Sequence, residues 1–146
     1  MARFDVSTTI KRPIEEVFAV LSDASNRLKW ASGEVEAPKK TSDGPIGVGT
    51  TWHGVGRLFG RQFDTDLEYT EFEANRKIAL TAKSPFPTMI TITLEPVAGG
   101  TRVNETFEAE PGGFFKLAEP LLVTMAKRQF QSDLDNLKDL MEANAL

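Results

Sequence analysis

Hydrophobic and polar positions alternate at the start of the chain. Between residues 3 and 11, Phe4, Val6, Thr8 and Ile10 fall on one side, and Asp5, Ser7, Thr9 and Lys11 on the other. A period of two is that of a strand with one buried face. After Pro13 the period lengthens. Ile14, Val17, Phe18 and Leu21 recur at helical spacing, and proline suits the first turn of a helix. Asp23 is placed to cap a second short helix carrying Leu28 and Trp30. A strand around Val35 is expected over Gly33 to Lys40. The turn-rich residues 42–49 then mark a loop. No Lys-Ser/Thr pair and no helix follow its glycines, so it is not a phosphate cradle.

From Thr50 to Glu110 the pattern is one of hairpins. A turn at Gly60-Arg61 sets Phe59 opposite Gln62 and Leu58 opposite Phe63. It brings Gly56 to Thr65, Gly54 to Leu67 and Trp52 to Tyr69, with Arg57–Asp64 and His53–Glu68 on the other face. A turn at Ala74-Asn75 places Tyr69 against Leu80 and Leu67 against Ala82. The loop Pro85-Phe86-Pro87 leads to Ile90, Ile92 and Leu94. A turn at Gly99-Gly100 sets Leu94 against Glu105 and Ile92 against Phe107. Thr91, Thr93, Glu95, Asn104, Thr106 and Glu108 take the wet face. One apolar face therefore runs through all these strands, and short turns make the sheet antiparallel.

The last long segment, Phe114 to Ala143, is helical in period. Val123, Ala126, Phe130, Leu134, Leu137 and Met141 form one stripe, and Lys127, Arg128, Gln131, Asp135, Lys138, Asp139 and Glu142 face away. Thirty helical residues would span about 45 Å. Pro120, near the start, bends the first turns or separates them as a cap. The stripe needs a broad apolar partner, and the sheet offers one. The expected architecture is α+β: an antiparallel sheet of about seven strands, two short helices after the first strand, and a long C-terminal helix against the sheet.

Composition narrows the chemistry. A chain of 146 residues fits a single domain, 1–146, which buries about 68% of its unfolded surface. With no cysteine and one histidine, disulfides, thiolate metal sites and multi-histidine sites are excluded. A net charge of -4 argues against nucleic acid as a partner. The N-terminus carries no apolar signal core, and no apolar run is long enough to cross a bilayer. The expected setting is the cytoplasm, with no integral membrane association. Monomer and homodimer both stay open.

With this order of elements the chain resembles the START-like, or SRPBCC, helix-grip superfamily. Within it the chain is similar to the polyketide cyclase/dehydrase and lipid-transport family. The resemblance spans nearly the whole chain. It rests on Ile10-Lys11-Arg12-Pro13-Ile14-Glu15-Glu16-Val17-Phe18, on Asp23 and Trp30, and on Gly47-Val48-Gly49-Thr50. It continues through Thr70-Glu71-Phe72-Glu73, Gly100-Thr101-Arg102-Val103 and Leu134-Asp135-Asn136-Leu137-Lys138. These are scaffold residues. The resemblance implies a curved sheet gripping the long helix around an internal cavity that holds a hydrophobic small molecule, a lipid or a substrate.

Several residues are candidates for chemistry. His53 could be a general base oriented by Glu68. The hairpin register instead places both outside as a solvated cross-strand pair. Glu105 alternates with Val103 and Phe107 and so points inward, where a carboxyl must stay neutral, find a partner or meet water. It is a candidate acid/base, or a rim residue touching solvent or a cation. Trp52, Thr65 and Tyr69 share the inward face with Gly54 and Gly56. Paired glycines either leave a pocket or make room for helix side chains. Leu121, Leu122, Met125 and Gln129 could lid such a pocket, and Met suits a loosely specified apolar ligand. Asp64, Asp66 and Glu68 alternate on one strand. Without a shaped loop they read as a solvated face rather than a metal site. Phe114 and Phe115 would gate the cavity mouth or anchor the helix start.

These readings give a binding module for a small hydrophobic molecule or lipid, needing no cofactor and no metal. Its expected walls are Trp52, Gly54, Gly56, Thr65, Leu67, Tyr69, Leu80, Ile92, Glu105, Phe107, Leu122, Met125 and Gln129, around a space of roughly 300–1,000 Å³. Two alternatives remain: a cyclase/dehydratase-type enzyme using Glu105 and Tyr69, and a protein-interaction module of the same fold.

Overall fold

The computed structural model describes residues 2–58 and 60–146. The expected pairing of Phe59 lies outside them, as does the side chain of Phe114. The strands are β1 (Ala2–Ile10), β2 (Glu34–Lys40), β3 (Thr51–Leu58), β4 (Arg61–Glu73), β5 (Lys77–Ala82), β6 (Thr88–Val97) and β7 (Gly100–Ala109). They form one curved antiparallel sheet in the order β1-β7-β6-β5-β4-β3-β2. Between β1 and β2 lie α1 (Ile14–Ser22), a 3-10 turn at Ala24–Asn26, and α2 (Arg27–Trp30). The chain closes with α3 (Phe114–Leu117) and α4 (Glu119–Glu142). This is the helix-grip arrangement that the resemblance implied, on the α+β order of elements read from the pattern.

Alternation sets the sheet's two faces. Ala2, Phe4, Val6 and Ile10 are buried while Arg3, Asp5 and Thr9 are exposed. In β7, Thr101, Val103, Glu105, Phe107 and Ala109 are all buried. The turns differ from expectation in a consistent way. Leu58 pairs with Arg61 and Val97 with Gly100, so both turns sit one residue earlier than expected. Gly60 and Gly99 then occupy the second turn position with φ of 74° and 81°. That position needs a left-handed backbone, which glycine adopts without a Cβ clash. The expected turns had placed these glycines first. Each correction slides the partners by two: Gly54 faces Thr65, Trp52 faces Leu67, Ile92 faces Glu105 and Ile90 faces Phe107. A slide of two keeps every side chain on its face. The β4–β5 hairpin keeps Tyr69 opposite Leu80 and Leu67 opposite Ala82, as expected. Its turn holds one more residue than expected, and an irregularity between Tyr69 and Glu71 absorbs it.

The long helix is shorter than its pattern suggested. α4 has 24 residues, about 36 Å, with Pro120 in its first turn and α3 as a separate cap. Leu122, Ala126, Leu134, Leu137 and Met141 are buried along it, with Val123 and Phe130 half-buried. α4 packs on β1 and α2. Phe130 meets Phe4 and Phe107 edge-on at 5.3 Å each, while Phe4 and Phe107 stack at 4.8 Å. Polar bonds fix the helix to the short-helix segment. Asp133 accepts from Ser32 N at 3.0 Å and Ser32 Oγ at 2.9 Å, and Asn136 Nδ2 donates to Trp30 O at 3.2 Å.

Candidate functional site

A cavity of about 120 Å³ lies under the concave face of the sheet. Its floor is Gly54 of β3, Thr65, Leu67 and Tyr69 of β4, Ile78 and Leu80 of β5, and Ile90 and Ile92 of β6. Leu21, Ala24 and Arg27 cover it from the short-helix segment, with Glu34 and Pro38 of β2 at the side. No residue of α4 lines it, so the cavity sits beside the long helix rather than beneath it. The space is smaller than the expected 300–1,000 Å³ because the short helices close directly on the sheet. A dry apolar cavity of about 150 Å³ is known to take benzene, so the scale is that of one small ring.

Gly54 leaves room on the sheet side of the space. A Cβ there would sit 3.7 Å from Pro38 Cγ and 3.8 Å from Glu34 Oε2 and Thr65 Cγ2, in ordinary contact. Any longer side chain would run into the cavity. Gly56 lines no part of the cavity. A Cβ on it would lie 3.5 Å from Gly33 O, in ordinary contact.

One end of the cavity is charged. Arg27 Nε donates to Glu34 Oε1 at 2.9 Å, with both side chains mostly buried, and the guanidinium lies 5.0 Å over the Trp30 ring. Burial disfavours the guanidinium's charge, but Glu34 and then Glu105 outweigh it, and the Arg27 pKa is raised. Glu105, 2% exposed, points inward from β7. Burial drives its pKa up to about 7, Arg27 pulls it down, and Asp133 adds to the rise. Asp133 is itself raised, chiefly by burial, despite the bonds from Ser32. One guanidinium therefore faces three carboxyls.

The other expected residues are distributed as follows. Gly54, Thr65, Leu67, Tyr69, Leu80 and Ile92 come together on the wall. Trp52 is buried behind it, 6.1 Å from the Tyr69 ring. The Tyr69 hydroxyl donates to Ser22 O at 2.8 Å, and burial raises its pKa. Glu105 is buried off the wall rather than at a rim. Phe107 belongs to the Phe4–Phe130 cluster. Leu122 is buried in the core, Met125 and Leu121 are exposed, and the Gln129 amide occupies the space over Gly33, so these four form no lid. Phe115 packs on Phe86 at 5.2 Å and Phe63 at 5.9 Å, as an anchor for α3.

His53 lies outside, with Nδ1 2.9 Å from Asp66 Oδ1 and Nε2 3.7 Å from Asp64. Its partner is not Glu68, which faces Thr51. The bond to Asp66 raises its pKa. Among the described residues no group of three acids or histidines is placed to hold a metal. Sequence reasoning missed Arg27 and Glu34. Arg27 and Trp30 at i,i+3 were the one available signal, since a four-residue helix has no periodicity to show which face is buried.

Comparison with known proteins agrees with this fold. The family described as polyketide cyclase / dehydrase and lipid transport matches residues 1–142. Among curated proteins none matches by sequence. Similar solved structures include TTHA0849 from Thermus thermophilus, with TM-score 0.81, 19% identity and 99% of each chain covered. Protein CV1439 from Chromobacterium violaceum has TM-score 0.72 at 19% identity, covering 97% of this chain and 99% of that one. SA2116 from Staphylococcus aureus, a protein of unknown function, has TM-score 0.74 at 13% identity, covering 97% and 94%. These likenesses carry the fold alone.

Proposed function

Because the chain belongs to the polyketide cyclase / dehydrase and lipid transport family, we propose that it binds a small hydrophobic molecule in the cavity under its sheet and does not transform it. The observation that carries this reading is the apolar-walled cavity kept open by Gly54. Two facts weigh against catalysis. The Tyr69 hydroxyl already donates to Ser22 O, and Glu105 is off the cavity wall. The cyclase/dehydratase-type reading keeps one support, a buried carboxyl with a pKa of about 7, near that of a working acid/base.

The test is thermal unfolding with and without benzene. A ligand that binds only the folded chain raises Tm in step with its concentration. The wild type is expected to gain Tm, and Gly54→Leu, which fills the space, is expected to fold without gaining it. Equal Tm with and without benzene in the wild type would remove the reading.

A further inference from the structure

The cavity wall carries an ion pair, Arg27 with Glu34. Glu34 spends Oε1 on Arg27 Nε, at 2.9 Å. Its other oxygen, Oε2, lies 3.8 Å from where a Gly54 Cβ would stand, and Glu34 and Gly54 both line the cavity. Among the described residues no donor reaches Oε2. The other polar residues of the wall are Arg27, whose Nε is held by Glu34 Oε1, and Thr65 and Tyr69, whose hydroxyls donate to the backbone carbonyls Ser84 O and Ser22 O.

We infer that the ligand is a compact uncharged alcohol or phenol whose hydroxyl hydrogen is received by Glu34 Oε2, the ring or alkyl body lying against Leu67, Leu80 and Ile92. This rests on the binding reading above and adds the ligand's polar end to it. Three arguments select this class. Size comes first, because about 120 Å³ holds roughly one small ring. Charge comes second. The single guanidinium is already shared among Glu34, Glu105 and Asp133, so a carboxylate ligand would bring another negative group into a buried, already acidic end. Hydrogen-bond polarity comes third. Glu34 Oε2 is a carboxylate oxygen with no donor on it, so a ligand hydroxyl gains a charge-assisted hydrogen bond there that a purely apolar ligand does not.

Calorimetric titration of the full chain with benzene, phenol and benzoate tests this, with amide NMR shifts of Gly54 and Leu67 reporting the site. Phenol is expected to bind about tenfold tighter than benzene, the effect of one charge-assisted hydrogen bond. Benzoate is expected not to bind. Glu34→Gln, which leaves a carbonyl for Arg27, is expected to lower the ratio of phenol affinity to benzene affinity. The wild-type series decides the matter even if that variant folds poorly. If benzene binds and phenol gains nothing over it, or if benzoate binds as well as phenol, the donor assignment is wrong while the binding reading stands. If no ring shifts Gly54 or Leu67, both are overturned.

Discussion

Glu105 is 2% exposed, with Arg27 as its opposing charge and Asp133 as a like one. Its pKa of about 7 against an ordinary 4.5 means the folded state holds a proton that the unfolded chain has released. The resulting stabilisation is complete below about pH 4.5 and is lost as pH rises through about 7, because the folded state there must give up its proton or keep an ionised carboxyl buried. The size is about 3 kcal/mol. The wild type is therefore expected to lose stability from pH 4.5 to 8 relative to Glu105→Gln, measured by urea unfolding across that window. Parallel curves would show that Glu105 is ionised throughout. Referring the wild type to the variant cancels the opposite trend from Glu142, whose pKa Lys138 lowers. His53 offers a second titration. With Asp66 bonded to Nδ1, its NMR midpoint should lie above the usual 6.5, and Asp66→Asn should bring it down. The inward aim of Glu105 could be read from alternation with Val103 and Phe107. Its partner could not, because Arg27 reaches it from an element 78 residues away in the chain, and no local pattern encodes that meeting.

At the scale of elements, faces were legible and registers were not. A side-chain period of two fixes which residues point inward, while turn placement depends on which residue takes the left-handed position. Gly60 and Gly99 decided both cases. Gly100, expected within the turn, has another duty. A Cβ there would collide with the Ile10 carbonyl where β1 closes on β7. Gly100→Ala should destabilise the chain by about 1–3 kcal/mol, and a wild-type denaturation midpoint would mean that this approach is not tight. On α4, Leu137 is fully buried, and Leu137→Ala should cost about 2–5 kcal/mol. Its neighbour Lys138 lay on the expected outer face and looked dispensable. The structure gives it bonds to Thr9 O at 2.8 Å and Glu142 Oε2 at 2.6 Å. Lys138→Ala should therefore lower stability measurably, though less than Leu137→Ala does. Equal losses would mean that the helix is turned from the position described.

Across the whole molecule, the hairpins among β3 to β7, the antiparallel sense and the covering helix followed from pattern and turn length, while the place of β1 beside β7 did not. Nor did the cavity's place. It depends on how closely α1 and α2 settle on the sheet, a distance set by side chains from three elements at once. The expectation that α4 would roof it came from the family resemblance. The helix instead seals the sheet's first edge. Gln131 Nε2 and Lys138 Nζ donate to Ser7 O and Thr9 O, while Glu142 and Asn144 hold Lys11 and Arg12. That seal has a consequence for a chain synthesised from its N-terminus. β1 emerges first, yet its neighbour Arg102 comes 95 residues after Ser7, and Gln131 comes 124 residues after it. Closing a span of that length costs about 4 kcal/mol in chain entropy, and nothing offsets it until β7 exists. Until β7 has been made, β1 is an apolar strand with both edges open, the kind of nascent segment that needs shielding from its neighbours on the polysome.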